Sequence, residues 1–380
     1  MATLTSTLTL LLGPTVPAPA TAPVLEALES VEVTTGDRGR SGFQLRFSAG
    51  RSGSADRTDF PLISGPVLRP FGRVVLQVAF GGSPQVLMDG LITQRELIPG
   101  SVPGTGTLTV TGQDISVVMD LEEKIAEHPA QAEHVIATML ISSAAYSAYG
   151  LVPRVTAPDS ADTPPAAERV PVQHGTDLAY LNQMAARFGF VCYLIPGPAV
   201  GANTVYWGPP ERGGAPQPAL TVDMGADTNV EQIQFRADGL APTRVTGSVQ
   251  DRSTNESVAV RCVSASRTPL SAEPDLTTLP MVRTTLLRAS GLTSTQALGR
   301  AQGMVDAASD SVTATGRLDA LRYGATLTAR GLVGLRGAGA SHDGLWYVSR
   351  VTHHIQRGEY TQDFTLTRDG SGSTVSAVRP

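Results

Sequence analysis

The chain has 380 residues, of which 17% are charged, with a formal net charge of −5. That length provides for roughly two or three domains, and the acidic balance, with no cluster of Lys and Arg, excludes a dedicated nucleic-acid binder, because phosphate neutralisation needs a basic excess. No run approaches the about eighteen apolar residues of a membrane-spanning helix, and two cysteines in a chain this long make no disulfide framework.

Lys124 is the only lysine, so nearly all positive charge is arginine, scattered singly in a bias that reads as genomic. The opening "MATLTSTLTLLLGPTVPAPA" has the apolar core of a secretion signal, but it has no basic n-region and carries Thr at alternate positions. It reads as an extended arm over residues 1–22. From there to Asp114 about five segments alternate polar and apolar residues, among them "SGFQLRF" and "RVVLQVAFGG", between Gly and Pro turns. This is the pattern of an antiparallel barrel or sandwich over 23–114.

The period then changes. "ISVVMDLEEK" predicts one helix, and His128-Pro129 opens a second whose stripe is Ala132, Val135, Ile136, Met139, Leu140 and Ser143. A Pro-rich stretch, 153–171, reads as a surface loop. "GTDLAYLNQMAARFGFVCYL" follows: Thr176 as N-cap, Asp177 at the positive end of the helix dipole, and Leu178, Leu181, Ala185 and Phe188 on one face, widened by Met184. Gly189 stops the helix before the strand "FVCYLIPG". These features define an inserted α+β domain over 115–225. Strands resume at "VEQIQFRA", "TRVTGSVQ" and "SVAVRCV", the helix "TSTQALGRAQGMVDAAS" interrupts them, and "GLWYVSRVTHHI" and "EYTQDFTLTRD" complete a second β region over 226–370, with a tail over 371–380.

Chemistry is sparse. His353-His354 is the only adjacent histidine pair, and neighbours in a strand face opposite ways, so one metal cannot readily take both. Cys192 and Cys262 sit in strand contexts that predict buried thiols. No nucleophile elbow or zinc-protease motif occurs, and the Gly-rich "GLRGAGASHDG" lacks the Lys-Ser/Thr ending of a phosphate loop and reads as flexible. Asp120, Glu122 and Glu123, like Asp306 and Asp310, read as solvated helix faces. No catalytic residue, cofactor or metal site is expected.

The segments "TGQDISVVMDLEEK", "HPAQAEHVIATML" and "VQHGTDLAYLNQMAARFGFVCYL" together resemble the phage late-control protein D family, the baseplate hub of contractile tails. They are also similar to the N-terminal hub module of VgrG spike proteins and to hubs of extracellular contractile injection systems. The resemblance spans about Pro23 to Asp369 and is strongest at Thr176, Asp177, Leu181, Arg187, Phe188, Gly189 and Phe190. It implies an α+β fold of two tail-tube-like antiparallel β-barrels with an inserted helical/mixed domain, and a structural role without enzymatic activity or cofactor. The implied assembly is a homotrimer between a trimeric spike protein and a six-fold tail tube or tube initiator, contacting other baseplate proteins, with no nucleic-acid site and no membrane segment. It would be built in the bacterial cytoplasm as part of a phage tail or phage-tail-like particle, its spike a separate polypeptide. The readings set against it are a tail-associated peptidoglycan hydrolase and a host-surface adhesin or tube-capping protein.

Overall fold

The computed structural model describes residues 6–50, 59–80, 82, 84–102, 104–161 and 163–375. In the segment around Val31 and Val33, valines alternate with Glu32 and Thr34, and a strand sends the two sets to opposite faces. The strands of this region are β1 (Ser6–Gly13), the short β2 (Ala18–Pro19), β3 (Leu28–Gly36), β4 (Gly42–Ser48), β5 (Arg73–Phe80), β6 (Gln85–Pro99) and β7 (Gly106–Asp114), with helices α1 (Ala22–Ala27) and α2 (Pro61–Ser64) between them; β4 and β7 alternate as β3 does, whereas β5 and β6 carry stretches buried on both faces. An α+β insert follows: β8 (Lys124–Glu127), α3 (Glu133–Ile141), β9 (Leu151–Val155), β10 (Val172–Gly175), α4 (Asp177–Arg187), β11 (Val191–Pro196) and β12 (Asn203–Gly208). After β13 (Gln217–Thr221) and β14 (Val230–Ala237) comes a second excursion with β15 (Thr243–Gln250), β16 (Ser257–Cys262), β17 (Ser271–Pro274), α5 (Asp275–Thr278), β18 (Arg283–Leu286) and α6 (Ser294–Ala307). The described chain closes with β19 (Val312–Asp319), α7 (Ala320–Tyr323), β20 (Leu332–Arg336), β21 (Gly344–Gln356), β22 (Glu359–Arg368) and β23 (Gly370–Ser373).

The two β regions, expected as separate barrels, share one sheet. Its order is β14-β19-β22-β21-β3-β4-β7-β6-β5-β1-β2, with β20 against β21 and β13 parallel to β20. The seam is the antiparallel pair β3–β21, in register from Gly36↔Arg350 to Ser30↔Gln356. The order runs open from end to end, with no closed barrel among the described residues. An alternating pattern fixes which face a side chain takes but not which strand lies alongside. Here Val33, Phe43 and Leu45 from one region and Val351, Phe364 and Leu366 from the other bury in a single core.

Several local expectations are corrected. The arm is a strand: β1 pairs with β5 from Ser6↔Phe80 to Gly13↔Arg73, Leu10 and Leu12 enter the core, and Thr7 and Thr9 face out, while residues 1–5 lie outside the described set. "ISVVMDLEEK" is no single helix but a 3-10 turn, Ile115–Asp120, begun by the Asp114 carboxylate accepting from Ser116 N at 3.0 Å, followed by β8. Pairing of β8 with β10 overrides local helix propensity. His128-Pro129 lies in a turn, and α3 starts at Glu133, burying Ile136, Ala137, Leu140 and Ile141 while Val135 and Met139 are exposed.

The second β region is itself interrupted. β15, β16 and β18 form a separate three-stranded sheet under α6, with Val245, Val249, Val260, Ala297, Ala301 and Val305 as its core. This unit leaves and re-enters the main sheet at register partners, Ala237 and Val312, on β14 and β19. The expected tail begins as β23, paired with β17, and its residues 376–380 lie outside the described set. The Gly-rich loop before β21 is organised by Arg368, whose fully buried guanidinium donates to the carbonyls of Ser341 at 2.5 Å, Asp343 at 3.0 Å and Gly370 at 3.0 Å. The same guanidinium lies 4.4 Å from the Trp346 ring centroid.

Arg368→Met would leave those carbonyls without their donor, so we expect a loss of about 3 kcal/mol or more in equilibrium urea denaturation followed by circular dichroism. An unchanged midpoint would mean that the loop does not depend on this side chain.

Candidate assembly surface

Of the residues marked by the sequence resemblance, Thr176, Phe188 and Gly189 lie where the insert meets its surroundings, whereas Asp177 and Leu181 are held by partners within it. The Thr176 hydroxyl accepts from Ala179 N at 3.2 Å as the α4 N-cap and donates to Asp120 Oδ1 at 2.5 Å. Asp120 is in turn ion-paired with Arg40, in the turn between β3 and β4. Asp177 is less a helix-dipole anion than the hub of a buried network. With 1% exposure it accepts from Gln173 Nε2 at 2.7 Å, Tyr146 Oη at 2.5 Å and Lys124 Nζ at 2.9 Å. Burial alone would raise the Asp177 pKa, but these hydrogen bonds and the Lys124 charge together lower it.

Leu181 is fully buried, and its carbonyl accepts from Trp207 Nε1 at 3.0 Å. Arg187 closes α4 with Glu133 of α3 at 3.9 Å. Phe188, expected within the buried stripe, is the half-buried C-cap residue, because α4 ends one residue before it. Its ring and that of Phe190 pack edge-on against Trp207 at 6.2 and 5.2 Å. Gly189 takes the left-handed conformation, φ +66°, and meets the second excursion directly: a Cβ there would lie 2.5 Å from the Gly303 carbonyl of α6. Arg267 donates to the Gly189 carbonyl at 2.7 Å.

Other clamps carry no recognisable motif. The Arg73–Asp89 pair, 2.7 Å apart and almost wholly buried, ties β5 and β6 to the insert, since Asn203 Nδ2 also donates to Asp89 at 2.8 Å. Arg330, with φ +71°, donates to the Gly36 carbonyl at 2.9 Å and the Ser41 hydroxyl at 2.9 Å, also reaches the Leu194 carbonyl, and lies over the Tyr193 ring. Their signal in the sequence is a lone charge inside an apolar run, "GRVVLQV" and "VLMDGLI", since an arginine or aspartate there stays charged only if paired.

The side chains considered for chemistry have structural partners or face solvent. His353 is buried against Tyr360 Oη at 2.8 Å, and its pKa is pushed down to about 3 by burial and then by the neighbouring His354. His354 faces out, with Asp363 at 3.0 Å and Glu32 at 3.6 Å. Cys192 and Cys262 are both buried, with the Cys192 thiol pushed up to about 12 by desolvation. Glu122 and Glu123 are exposed, but Asp306 is buried and accepts from Ser266 N at 2.7 Å, and Asp310 pairs with Arg212, so neither aspartate lies on a solvated face. No group of three or more His, Cys, Asp or Glu with metal-holding geometry occurs among the described residues.

What the fold does present is a broad polar sheet face. Opposite the core, cross-strand rows run Gln94, Thr111, Gln44, Glu32, His354 and Thr34, Thr352, Asp363, Arg317, Gln232, together spanning eight strands from β6 to β14. The rows cross the seam unbroken, with the Thr34 and Thr352 hydroxyls 3.0 Å apart. Arg317 Nε donates to Asp363 at 2.6 Å and, ahead of all other influences, lowers that carboxyl's pKa. Such a face is solvated or borders an aqueous space, and it contributes no apolar area to packing.

No family model and no curated protein sequence matches the chain. The fold has clear counterparts. A tail protein from Neisseria meningitidis MC58 superposes with a TM-score of 0.61 at 15% identity, covering 97% of this chain and 98% of the other. The 43 kDa tail protein of prophage MuSo2 from Shewanella oneidensis gives 0.62 at 11% identity, covering 96% and 99%. The E. coli c3393 protein, a component of the type VI secretion system described as similar to T4 bacteriophage tail proteins gp27 and gp5, gives 0.51 at 10% identity, covering 93% and 77%. The chain thus has the fold of phage tail proteins and their secretion-system counterparts, as the sequence resemblance implied. No helix among the described residues is long and apolar enough to cross a membrane.

Asp177→Asn would place an amide among three donors and should cost about 2–4 kcal/mol at neutral pH, less whatever solvent screens from the partly exposed Lys124. Because folding lowers this carboxyl's pKa, its contribution is full above the ordinary aspartate value of 3.8 and is lost as pH falls through the folded value. The variant should therefore lose less on acidification than the parent, which parallel chemical denaturation at neutral and acid pH will show. Gly303→Val would set a side chain against the Phe188–Gly189 backbone, where a Cβ has only 2.5 Å, and we expect a loss of about 1–3 kcal/mol in thermal unfolding.

Proposed function

We propose that the chain is a structural baseplate hub of a contractile tail or injection system, joining a trimeric spike to the six-fold inner tube. The observation that carries this reading is the near end-to-end fold match with two tail proteins, one of them from a prophage, with almost nothing left over on either side. The role is geometric and requires no catalysis. Each β region supplies one tube-like wall segment, and the seam between β3 and β21 holds the two segments of one chain in fixed relation. Three chains then give six segments, which converts three-fold into six-fold symmetry. A closed ring satisfies every interface, and it covers the strand edge that β14 leaves open in a single copy. The polar face then borders the channel, where water and not a packed partner lies against it. The insert, organised by Thr176, Asp177, Leu181, Arg187, Phe188, Gly189 and Phe190, braces the segments from outside. Assembly would take place in the bacterial cytoplasm, with spike, tube initiator and other baseplate proteins as partners.

Cryo-electron microscopy of the intact particle tests the proposal. Three copies of this chain should form the ring between spike and tube, each contributing two wall segments around the channel. Six copies per ring, or one wall segment per chain, would overturn it.

A further inference from the structure

A second surface lies away from the polar face, at the edge of the small sheet beneath α6. Strand β18 pairs on one side with β15, in parallel register from Thr243↔Arg283 to Thr246↔Leu286, and among the described residues it has no neighbour on the other. That free edge forms one wall of a cleft of about 650 Å³, which continues along the backbone to Ala289 and is closed opposite by Ala186 and Arg187 at the end of α4 and by Arg300 and Met304 of α6. A strand edge open to a cleft offers unpaired N–H and C=O groups at the spacing of an extended peptide.

The charge in the cleft has one sign. Arg187, Arg283, Arg288 and Arg300 line it, and no carboxylate does. Of the four, Arg187 has a carboxylate in reach, Glu133 at 3.9 Å, whereas Arg283, Arg288 and Arg300 have none within ion-pair distance among the described residues. Arg300 is half-buried, and its pKa is held below the usual value by desolvation and then by the Arg187 and Arg169 charges. Guanidinium groups kept together against their mutual repulsion are ready to take an anion. Leu286, 62% exposed, and Met304, 38% exposed, add apolar surface between them.

We propose that this cleft is a docking site for an acidic, extended segment of a partner protein, which adds as a strand to the free edge of β18 while its carboxylates meet Arg283, Arg288 and Arg300. A nucleic acid fits the charge but not the edge, because a phosphodiester chain cannot satisfy a row of backbone N–H and C=O groups. The site does not depend on the hub assignment, since it consists of this chain's own edge and charges.

The test uses the full chain and a fluorescein-labelled octapeptide of alternating Glu and Val, read by anisotropy. Comparison probes are the Lys–Val counterpart, the same acidic peptide with alternate backbone nitrogens methylated, and a short single-stranded oligonucleotide. Saturable binding of the acidic peptide is expected, weakened roughly tenfold or more by raised ionic strength, by backbone methylation, and by the double variant Arg283→Glu/Arg288→Glu. Both positions are exposed, so the variant should keep the parent's circular dichroism and melting temperature, and Arg300→Gln offers a second variant with the same expected direction. Absence of binding, equal binding of the methylated peptide, or binding unchanged in both variants would overturn the proposal. Tighter binding of the oligonucleotide than of the peptide would overturn it in favour of a nucleic-acid surface.

Discussion

The pairing of β3 with β21 is the constraint on which the rest of the architecture rests. It joins residues 30–36 to residues 350–356 in a continuous antiparallel register, and it makes one sheet of what the chain presents as two separate strand-rich stretches. On one side of this sheet Val31, Val33, Val351 and Ile355 fall into the same apolar core, and on the other Glu32, Thr34, Thr352 and His354 form the middle of the polar rows. A slip of one residue would exchange the two faces along the whole seam, so core and polar surface are specified together.

Around the sheet, the second excursion has a core of its own and the insert a core that takes in Leu91 of β6, and polar clamps attach both. Arg73–Asp89 with Asn203, Arg40–Asp120–Thr176 and Arg330 each link the insert to the sheet, and Arg267 with the Gly189–Gly303 contact links the insert to the second excursion. A buried pair such as Arg73–Asp89 adds little net stability compared with apolar residues, but removing one partner is costly.

Much of this was legible in the sequence where the cause is local. The α4 unit reads from the Thr176 cap to the Gly189 stop because cap, stripe and stop are written within one helix, with Phe188 the exception at the C-cap, and the opposite faces of His353 and His354 follow from strand alternation. What was not legible depends on distant partners. The segment after Ile115 has helical composition yet turns into β8 because β10 offers it a ladder, and "TRVTGSVQ" looks like any strand of the second region although it belongs to another sheet. The role of Asp177 shows the same limit. Its position at a helix start was readable, whereas its three donors come from Lys124, Tyr146 and Gln173, whose approach no spacing rule announces. The fold likeness rests on the ensemble of these elements, which is how it persists at 11–15% identity to the two tail proteins.

The way the second excursion is attached bears on how such a fold can change. β14 and β19 are neighbours in the sheet, and the chain leaves one at Ala237 and rejoins the other at Val312, directly across the ladder, with Asp238 N already donating to the Ser311 carbonyl at 2.9 Å. In topological terms the pair is a β-hairpin whose tip has been replaced by a folded unit. Chain can be added at such a tip without shifting the register of β14 against β19, because the two ends are already as close as a tight turn would hold them. The register of the main sheet is therefore independent of the length of chain between Ala237 and Val312, and what holds that unit in place is its own set of contacts, β17 with β23 and Gly303 with Gly189.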